Sequence, residues 1–250
     1  MSESDALKDV RVLVSGGSGA IGSGIAIACA RQGARLLLGF HHHEARAQNL
    51  ATELRERYGV SAVAHPIDVS APATLRAAVS AAADLWGGLD AVVHAAGVMH
   101  PGLLVTQKLE LMAQTLAVNL LGAAALSQAA LPTFLRQRAG VVITISSIVA
   151  ARPFRGQALY AASKAGLEGL TRAMAVEYGA KGIRALCLRP GPIAGGMLDQ
   201  ASQDAVVERV PLGRVGSPAD IGELVAFCLS PKAAYLNGAV LSVDGGMSVA

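Results

Sequence analysis

Short runs rich in valine, isoleucine and leucine alternate along this chain with longer segments of helical length. Seven runs are predicted strands: 10–14, 35–40, 62–67, 91–94, 141–145, 183–188 and 240–243. Most are apolar at both odd and even positions, which face opposite sides of a sheet. This is typical of parallel strands covered by helices on both faces. The segments between them predict six helices: 21–32, 44–58, 72–86, 109–137, 157–178 and 218–229. We therefore predict an α/β fold with a doubly wound, parallel, seven-stranded sheet.

The 250 residues show no linker, repeat or low-complexity tract, so we expect one domain over 1–250. Four glycines lie between a predicted helix and the strand that follows it: Gly33, Gly59, Gly140 and Gly182. We predict that they end the preceding helices in the left-handed conformation.

Composition excludes several classes of protein. A hydrophobic content of 52% excludes a disordered chain. Unbroken apolar runs fall far short of the ~20 residues of a membrane span, so no membrane partner is expected. A net charge of +3 without a basic block, together with 4% aromatic residues, argues against nucleic-acid binding.

The cysteines and the first residues indicate the compartment. Cys29, Cys187 and Cys228 lie far apart inside apolar segments, so we interpret them as buried hydrophobes rather than as disulfide or zinc ligands. No metal site is predicted. Residues 1–9 are polar and acidic and do not resemble a secretory signal, so we expect a cytoplasmic protein.

A glycine-rich segment, SGGSGAIG at 15–22, joins the first strand to the first helix. Glycines at this point let the backbone turn tightly against a pyrophosphate, and the free N–H groups of the helix start attract its charge. The position of the segment, rather than its composition alone, predicts a dinucleotide site.

The segment resembles the TGxxxGxG loop of the short-chain dehydrogenase/reductase family, with Ser15 for threonine and Ala20 for the middle glycine. Further family motifs follow in order between Val10 and Gly246: Asp68-Val69, His94-Ala95-Ala96-Gly97, Asn119, Ser147, Tyr160-Ala161-Ala162-Ser163-Lys164, Arg189-Pro190-Gly191 and Val243-Asp244-Gly245-Gly246. The family has Asn-Asn at positions 94 and 95, which puts its side-chain support of the central sheet in doubt here.

The resemblance implies a Rossmann fold and a nicotinamide dinucleotide. The residues it places against that cofactor are Ser15, Gly16, Ser18, Ala20, Ile21, Gly22, Phe40, His41, His42, Asp68, Val69, Ala95, Ala96, Gly97, Tyr160, Lys164, Pro190, Gly191 and Ile193.

Tyr160 and Lys164 are four residues apart, so in a helix their side chains are neighbours on one face. A cation beside a phenol favours the phenolate, so we expect Lys164 to lower the pKa of Tyr160 and make it a general acid or base. Ser147, at the end of the fifth predicted strand, is expected to polarise a substrate carbonyl; Ser146 is its rival. The resemblance implies that Asn119 completes a proton relay and that Lys164 also binds the ribose.

The choice between NADP(H) and NAD(H) depends on the end of the second strand. Phe40 stands where NAD-dependent relatives carry an aspartate that binds the ribose and repels a 2′-phosphate. His41 and His42 are suitable partners for that phosphate. Gly19 points the other way, because many NADP-dependent relatives have arginine or lysine there. We favour NADP(H) over NAD(H).

The pattern most resembles the 3-oxoacyl-[acyl-carrier-protein] reductase branch, which implies reduction of a 3-oxoacyl thioester. Arg138 and Lys181 match positions that bind the acidic carrier protein in that branch, although both also suit a helix C-terminus. Residues 192–211 resemble a substrate lid with Gly195-Gly196 as hinge, and Gly195 replaces a threonine that binds the carboxamide in relatives. The resemblance also implies a homotetramer formed through the two helices near Leu121 and Val176.

Two alternatives remain open from the sequence. One is an NAD(P)-dependent alcohol, sugar or steroid dehydrogenase. The other is a dinucleotide-binding scaffold without turnover. The set of Asn119, Ser147, Tyr160 and Lys164 argues against the scaffold, because a binding protein needs no proton relay.

Overall fold

Seven parallel strands form one sheet in the computed structural model, which describes residues 5–196 and 206–250. The strand order is β3-β2-β1-β4-β5-β6-β7. The strands are β1 (Arg11–Ser15), β2 (Arg35–Phe40), β3 (Ala62–Pro66), β4 (Ala91–His94), β5 (Gly140–Ile145), β6 (Ile183–Pro190) and β7 (Val240–Val243). The order reverses between β1 and β4, and the predicted doubly wound sheet is confirmed.

Helices cover both faces of this sheet. They are α1 (Ala20–Arg31), α2 (Glu44–Tyr58), α3 (Pro72–Trp86), α4 (Leu109–Leu116), α5 (Gly122–Gln137), α6 (Ala158–Tyr178) and α7 (Pro218–Leu229). The start of α7 is fixed by a capping box, in which the Ser217 hydroxyl accepts from the Asp220 amide and the Asp220 carboxylate accepts from the Ser217 amide.

Alternate residues of each strand enter different cores. Val12 and Val14 of β1 pack with α1, α2 and α7 on one face, and Leu13 packs with α3 and α5 on the other. This period of two follows from strand geometry. Both faces are therefore buried, as the apolar runs predict.

Helices α1 and α7 pack in close contact through glycine. A Cβ at Gly24 would lie 2.4 Å from the carbonyl oxygen of Pro218, and one at Gly222 would lie 2.3 Å from that of Gly24. Only glycine fits these two positions without separating the helices. This contact fixes α1, and with it the glycine-rich loop, against the sheet.

The prediction for one helix-ending glycine is wrong. Gly33, Gly59 and Gly182 have the expected positive φ, but α5 ends at Arg138, whose φ is 53°, and Gly140 is the first residue of β5. A Cβ at Gly140 would lie 2.3 Å from the ring of Phe134. Close packing, rather than a left-handed turn, therefore requires glycine there.

The single predicted helix over 109–137 is divided by a π-helical turn at Ala117–Leu121. The amide of Gly122 bonds the carbonyl of Ala117, five residues back. Such turns occur often at functional sites. The interruption falls around Asn119.

By length and mean hydropathy, Leu109–Gln137 is also the one helix among the described residues that passes the test for a membrane span. An 18-residue window of it has a mean hydropathy of 1.5, although polar residues interrupt its apolar runs. Core helices pass the same test. Leu126, Ala130 and Phe134 of this helix pack in the core on the sheet. Core packing accounts for only part of its apolar character, because 28% of the apolar window is buried, and Leu109 and Leu121 are exposed.

Candidate active site

The carboxyl ends of β1, β4, β5 and β6 meet at one edge of the sheet, where the strand order reverses. Ligands of open parallel sheets bind at this edge. Ser15, His94, Ser147 and Gly191 stand at or just beyond these four strand ends. The edge therefore gathers the predicted site residues from distant parts of the chain.

The glycine-rich loop has the shape that a pyrophosphate requires. Gly16 has φ +68°, and a Cβ there would lie 2.8 Å from the backbone of Ala96; one at Gly22 would lie 2.1 Å from the Gly16 carbonyl oxygen. No described side chain caps the start of α1, and its first turn has no acidic residue. The N–H groups of this helix start are thus available to an anion. The loop fits a dinucleotide.

The other residues predicted against the dinucleotide line the same edge. The Ala95 amide donates to the Ser15 carbonyl, and Ala95, Ala96 and Gly97 follow β4 directly. Ser18 is buried, whereas Ala20 and Ile21 begin α1 half-buried.

Asp68 and Val69 follow β3. The hydrogen bond from the Ser70 hydroxyl is the main cause of a lowered Asp68 pKa. The Val69 side chain is buried beside Gly122. One carboxylate oxygen of Asp68 therefore accepts from the Ser70 amide in the connection between β3 and α3. The other lies 3.8 Å from His41 Nε2.

Tyr160 lies on the first turn of α6, beside Ser147 and Lys164. The Lys164 Nζ lies 5.6 Å from the centre of the Tyr160 ring. Burial raises the pKa of Tyr160, and a hydrogen bond with Ser147 opposes this shift. Lys164 is not among the causes of this shift, so the expected lowering of the Tyr160 pKa by Lys164 is not present in the protein alone. The neutral phenol, a proton donor, is favoured.

Lys164 is buried, with 4% of its surface exposed. Its Nζ donates to the Ile145 carbonyl at 2.8 Å. Burial lowers the pKa of Lys164 to about 8. The ammonium is thus held at the end of β5, on the same helix face as Tyr160.

Ser146 and Ser147 differ in whether the side-chain hydroxyl is available to a substrate. Ser146 is buried and its hydroxyl donates to the Lys164 carbonyl at 2.9 Å, so it fastens α6 to β5. Ser147 is half-buried, caps a short 3₁₀ turn at Ile148–Ala150 and is close enough to Tyr160 to lower its pKa. Of the two, Ser147 has the hydroxyl available to a substrate carbonyl.

Asn119 is fully buried in the π turn. Its amide group accepts from the Val98 N–H at 2.8 Å and donates to the Val98 carbonyl at 2.9 Å. It also lies 3.0 Å from the hydroxyl of Ser163, which bonds the Tyr160 carbonyl. Its side chain thus joins the loop after β4 to the first turn of α6, and the predicted relay role stays a prediction.

Sequence reasoning missed an ion pair behind the site. Arg189 of β6 donates through Nε and Nη2 to both carboxylate oxygens of Glu168 on α6, at 2.8 and 2.7 Å. Ser146 Oγ lies 3.3 Å from the same carboxylate. A buried acid one helical turn after Lys164, with an arginine inside an apolar strand, was the available signal. The pair therefore connects α6, which carries Tyr160 and Lys164, to β6.

Pro190 and Gly191 lie at the end of β6. The Gly191 amide donates to the Val243 carbonyl, and a Cβ at Gly191 would lie 2.8 Å from the Asp244 backbone. Ile193 is buried and forms an isolated bridge with Gly216. Gly195 has φ +69° and lies beside Ala20. The predicted lid over 192–211 is described at its two ends, and residues 197–205 lie outside the described part.

The end of β2 forms the other side of the loop. Phe40 is buried, with 7% of its surface exposed, whereas His41 and His42 are exposed and their rings lie 3.7 Å apart. A surface depression of about 610 Å³ follows, lined by His42, His43, Glu44, Ala45, Arg46 and Gln48. Arg46 is a cation that the sequence reasoning did not include.

Arg138 and Lys181 are exposed and lie near each other at the opposite edge of the sheet. A Cβ at Gly182, the residue after Lys181, would lie 2.2 Å from the Arg138 carbonyl oxygen. The six residues of β5 separate this edge from Ser147 by about 20 Å at ~3.3 Å per residue. The backbones that carry the two cations are thus neighbours, but they lie away from the reacting groups of the same subunit.

Known proteins share these features over almost the whole chain. A family model described as Enoyl-(Acyl carrier protein) reductase matches residues 16–248. The 3-oxoacyl-[acyl-carrier-protein] reductase FabG of Vibrio cholerae is 36% identical over 238 residues, covering 94% of this chain and 96% of its own. That of Staphylococcus aureus is 34% identical over the same length and coverage.

A relative with a different name is similar to the same degree. The L-rhamnose 1-dehydrogenase (NAD(P)(+)) of a Sphingomonas species is 34% identical over 249 residues, covering 97% of this chain and 98% of its own. The fold, the glycine-rich loop and these matches agree. The chain belongs to the short-chain dehydrogenase/reductase family of NAD(P)-binding oxidoreductases.

Proposed function

We propose that this protein reduces a 3-oxoacyl thioester to the 3-hydroxyacyl form, with NADPH as hydride donor. The observation that carries this proposal is the convergence of Tyr160, Ser147 and the buried Lys164 at the edge where the dinucleotide loop lies; the Lys164 Nζ lies 5.6 Å from the centre of the Tyr160 ring. The similarity to reductases of carrier-bound 3-oxoacyl groups supports the substrate class.

Ser147 and Tyr160 have separate roles in the proposed reduction. A bound nicotinamide supplies the hydride. Ser147 donates a hydrogen bond to the substrate carbonyl, and Tyr160 delivers a proton to the oxygen as negative charge develops there. Burial raises the pKa of Tyr160, so the proton donor stays protonated at neutral pH. This direction of the shift suits reduction better than oxidation.

A sugar dehydrogenase is the second candidate, and one feature of the site favours it. The side-chain oxygen of Gln157, three residues before Tyr160, is buried and has no hydrogen-bond partner among the described residues. A buried acceptor calls for a donor. A sugar offers hydroxyl donors, whereas a 3-oxoacyl thioester has none beside its ketone.

Oxidation of NADPH by an acetoacetyl thioester, compared with reduction of NAD(P)⁺ by L-rhamnose and other sugars, tests the proposal. We expect the higher kcat/KM with the thioester. Faster turnover of a sugar would replace our proposal with the second candidate, and no turnover of either would support a scaffold.

We further propose that NADP(H) is preferred because Arg46 and His42 bind the 2′-phosphate. Both line the depression beyond β2, and Arg46 is suited to a phosphate. His41 lies beside the Asp68 carboxylate and is a weaker candidate. Because Phe40 is buried, an aspartate there would also perturb packing, so Arg46 offers the cleaner test.

Arg46→Glu is expected to raise the KM for NADPH about tenfold or more, since a charge-assisted hydrogen bond contributes ~1.5–3 kcal/mol. The KM for NADH should change much less. Arg76→Glu, the same charge change at an exposed position of α3, is the control. Equal shifts for both cofactors would contradict the phosphate contact.

We also propose that an acidic acyl carrier protein docks at Arg138 and Lys181, and that the protein is a homotetramer. Because these cations lie about 20 Å from Ser147, the carrier would deliver its substrate across the depth of the sheet or to another subunit. The exposed Leu109, Leu121 and Val176, on α4, the π turn and α6, support subunit pairing through these helices.

Charge reversal at both docking positions, Arg138→Glu with Lys181→Glu, is expected to raise the KM for a carrier-bound substrate strongly. The KM for a small soluble thioester should stay near that of the parent, because steering by charge requires a charged partner. Steady-state kinetics with both substrates decide the question. The docking proposal fails if the two KM values move together.

A further inference from the structure

The segment after β7, residues 244–250, is not used by the reaction proposed above. Its first residue, Asp244, folds it into a turn. One carboxylate oxygen accepts from the Gly246 amide at 3.0 Å, and the other accepts from the Ser248 amide at 3.1 Å. The Met247 amide also donates to the Asp244 carbonyl. Aspartate often fixes nearby backbone in this way, so the segment has a defined shape beyond the edge of the sheet that carries the site.

Met247 joins this segment to the proposed reacting residues through an apolar cluster. It is buried, with 1% of its surface exposed. The same cluster contains Ile148 and Val149 of the 3₁₀ turn that Ser147 caps, and Tyr160 packs against it. The turn that positions Ser147 and the ring of Tyr160 therefore share one small core with Met247.

The segment also contacts residues 206–212, which precede α7. Val210 belongs to the same apolar cluster as Met247, and the Leu212 amide donates to the Gly245 carbonyl at 3.1 Å. A Cβ at Gly245 would lie 2.6 Å from Val210 Cγ1. The segment after β7 thus lies between this stretch and the 3₁₀ turn after β5.

Arg152 is a polar link between the segment and the 3₁₀ turn. Its amide donates to the Ile148 carbonyl at 2.9 Å, so its backbone continues the turn that Ser147 caps. Its Nη1 donates to the Met247 carbonyl and to the Ala250 backbone oxygen, each at 2.6 Å. Hydrogen bonds from a charged donor are shorter and stronger than neutral ones. One side chain therefore binds two points of the segment and holds it against the turn.

The Ser147 hydroxyl is fixed only weakly by its own turn. It accepts from the Val149 amide at 3.4 Å, longer than a typical N–H···O bond. The place of this hydroxyl consequently depends on where the whole turn lies. On the side of the segment after β7, the turn is fixed by the packing of Met247 and by the two hydrogen bonds of Arg152.

We propose that Arg152 is a positioning residue, which fixes the Ser147 turn beside Tyr160 by binding the segment after β7. This role rests on the proposed reduction, in which the Ser147 hydroxyl must meet the substrate carbonyl. Misplacing a reacting group by about 1 Å can cost a rate on the order of 10²-fold. Arg152 acts through Ser147, whereas the glycine-rich loop is built by β1 and α1. Its effect is therefore on kcat rather than on NADPH binding.

Arg152→Met removes the donors and keeps an unbranched side chain. We expect kcat with an acetoacetyl thioester to fall about 10- to 100-fold. The dissociation constant of NADPH should stay near that of the parent. Arg152→Lys, which keeps a charged donor, should recover a large part of kcat. Arg155→Met, the same substitution at an exposed position of the same connection, is the control and should retain full turnover.

Amide hydrogen exchange locates the effect without any turnover. In Arg152→Met the amides of Ala150 and Arg152 in the turn, and that of Leu212, should exchange about tenfold faster, because the segment that joins them is no longer fixed. The amides of β1 and β4 should keep the rates of the parent. Faster exchange in the central strands as well would indicate a general loss of stability and would contradict a positioning role.

Asp244→Asn gives an independent test, because it leaves one acceptor oxygen where the segment needs two. It should lower kcat less than Arg152→Met does. The double variant should lower kcat by less than the product of the two single effects, since both residues act through one segment. Independent, multiplying effects would contradict this link. Where Arg152→Met does not fold, kcat and exchange in Asp244→Asn decide the question.

An unchanged kcat per NADPH-binding site in Arg152→Met overturns the proposal, and so does a lower kcat with unchanged exchange in the turn. Absence of turnover by the parent with every carbonyl substrate would contradict the proposed function alone. The exchange rates would then still show whether Arg152 fixes the turn.

Discussion

Tyr160→Phe is expected to lower kcat for ketone reduction by about 10²- to 10⁴-fold, the range that general acid catalysis contributes. The variant keeps the ring and removes only the hydroxyl, whose pKa Ser147 lowers. A solvent proton must then reach a buried oxygen. The hydride donor stays in place, because the loop after β1 is untouched.

Two measurements distinguish a loss of proton transfer from a loss of cofactor binding or of folding. NADPH fluorescence titrated with the variant should give a dissociation constant near that of the parent. The melting temperature should change little, since one hydrogen bond contributes ~0.5–1.5 kcal/mol. Tyr178→Phe, at the other end of α6, is the matched control and should retain full turnover. A kcat within threefold of the parent in Tyr160→Phe would remove this phenol from the mechanism.

The sheet and most helices follow from local patterns, because the central strands bury both faces. Val12, Leu13 and Val14 enter two different cores and all must be apolar. The π turn does not follow from the sequence. Residues 109–137 are predicted as one apolar helix. The two hydrogen bonds between the Asn119 side chain and the backbone of Val98, 21 residues earlier in the chain, belong to tertiary structure.

The candidate site was predictable where spacing alone places side chains together. Tyr160 and Lys164 are such a pair. The Glu168–Arg189 pair was not predictable, since it joins a helix and a strand 21 residues apart and depends on their packing. The pKa of Tyr160 was predicted in the wrong direction because a charge at known spacing is visible in a sequence, whereas the depth of burial is not.

Lys164→Met is expected to abolish efficient turnover and yet to stabilise the protein at pH 7. Burial depresses the pKa of Lys164 from 10.5 to about 8, so the folded state carries a buried charge at a penalty on the order of 3 kcal/mol. Methionine of similar length removes that charge. Loss of the hydrogen bond to the Ile145 carbonyl, ~1–3 kcal/mol, offsets part of the gain.

The pH dependence identifies the cause. Between about pH 8 and 10.5 the unfolded chain binds more protons at Lys164 than the folded chain does, so the parent becomes more stable as pH rises. Below pH 8 the full penalty is present and constant. The advantage of Lys164→Met in melting temperature, ~2–4 °C per kcal/mol for a chain of this size, should therefore shrink above pH 8.

Lys181→Met is the matched control, because Lys181 is exposed and the same substitution there removes no buried charge. Calorimetric scans of the parent and both variants between pH 7 and 10 decide the matter. A Lys164→Met protein that is less stable than the parent by the same amount at every pH would show that the ammonium stabilises the fold. The buried position of Lys164 would then be explained by packing and hydrogen bonding. A gain that fades with pH shows instead that the fold tolerates this charge at a cost in stability, as expected for a group retained for its chemistry beside Tyr160.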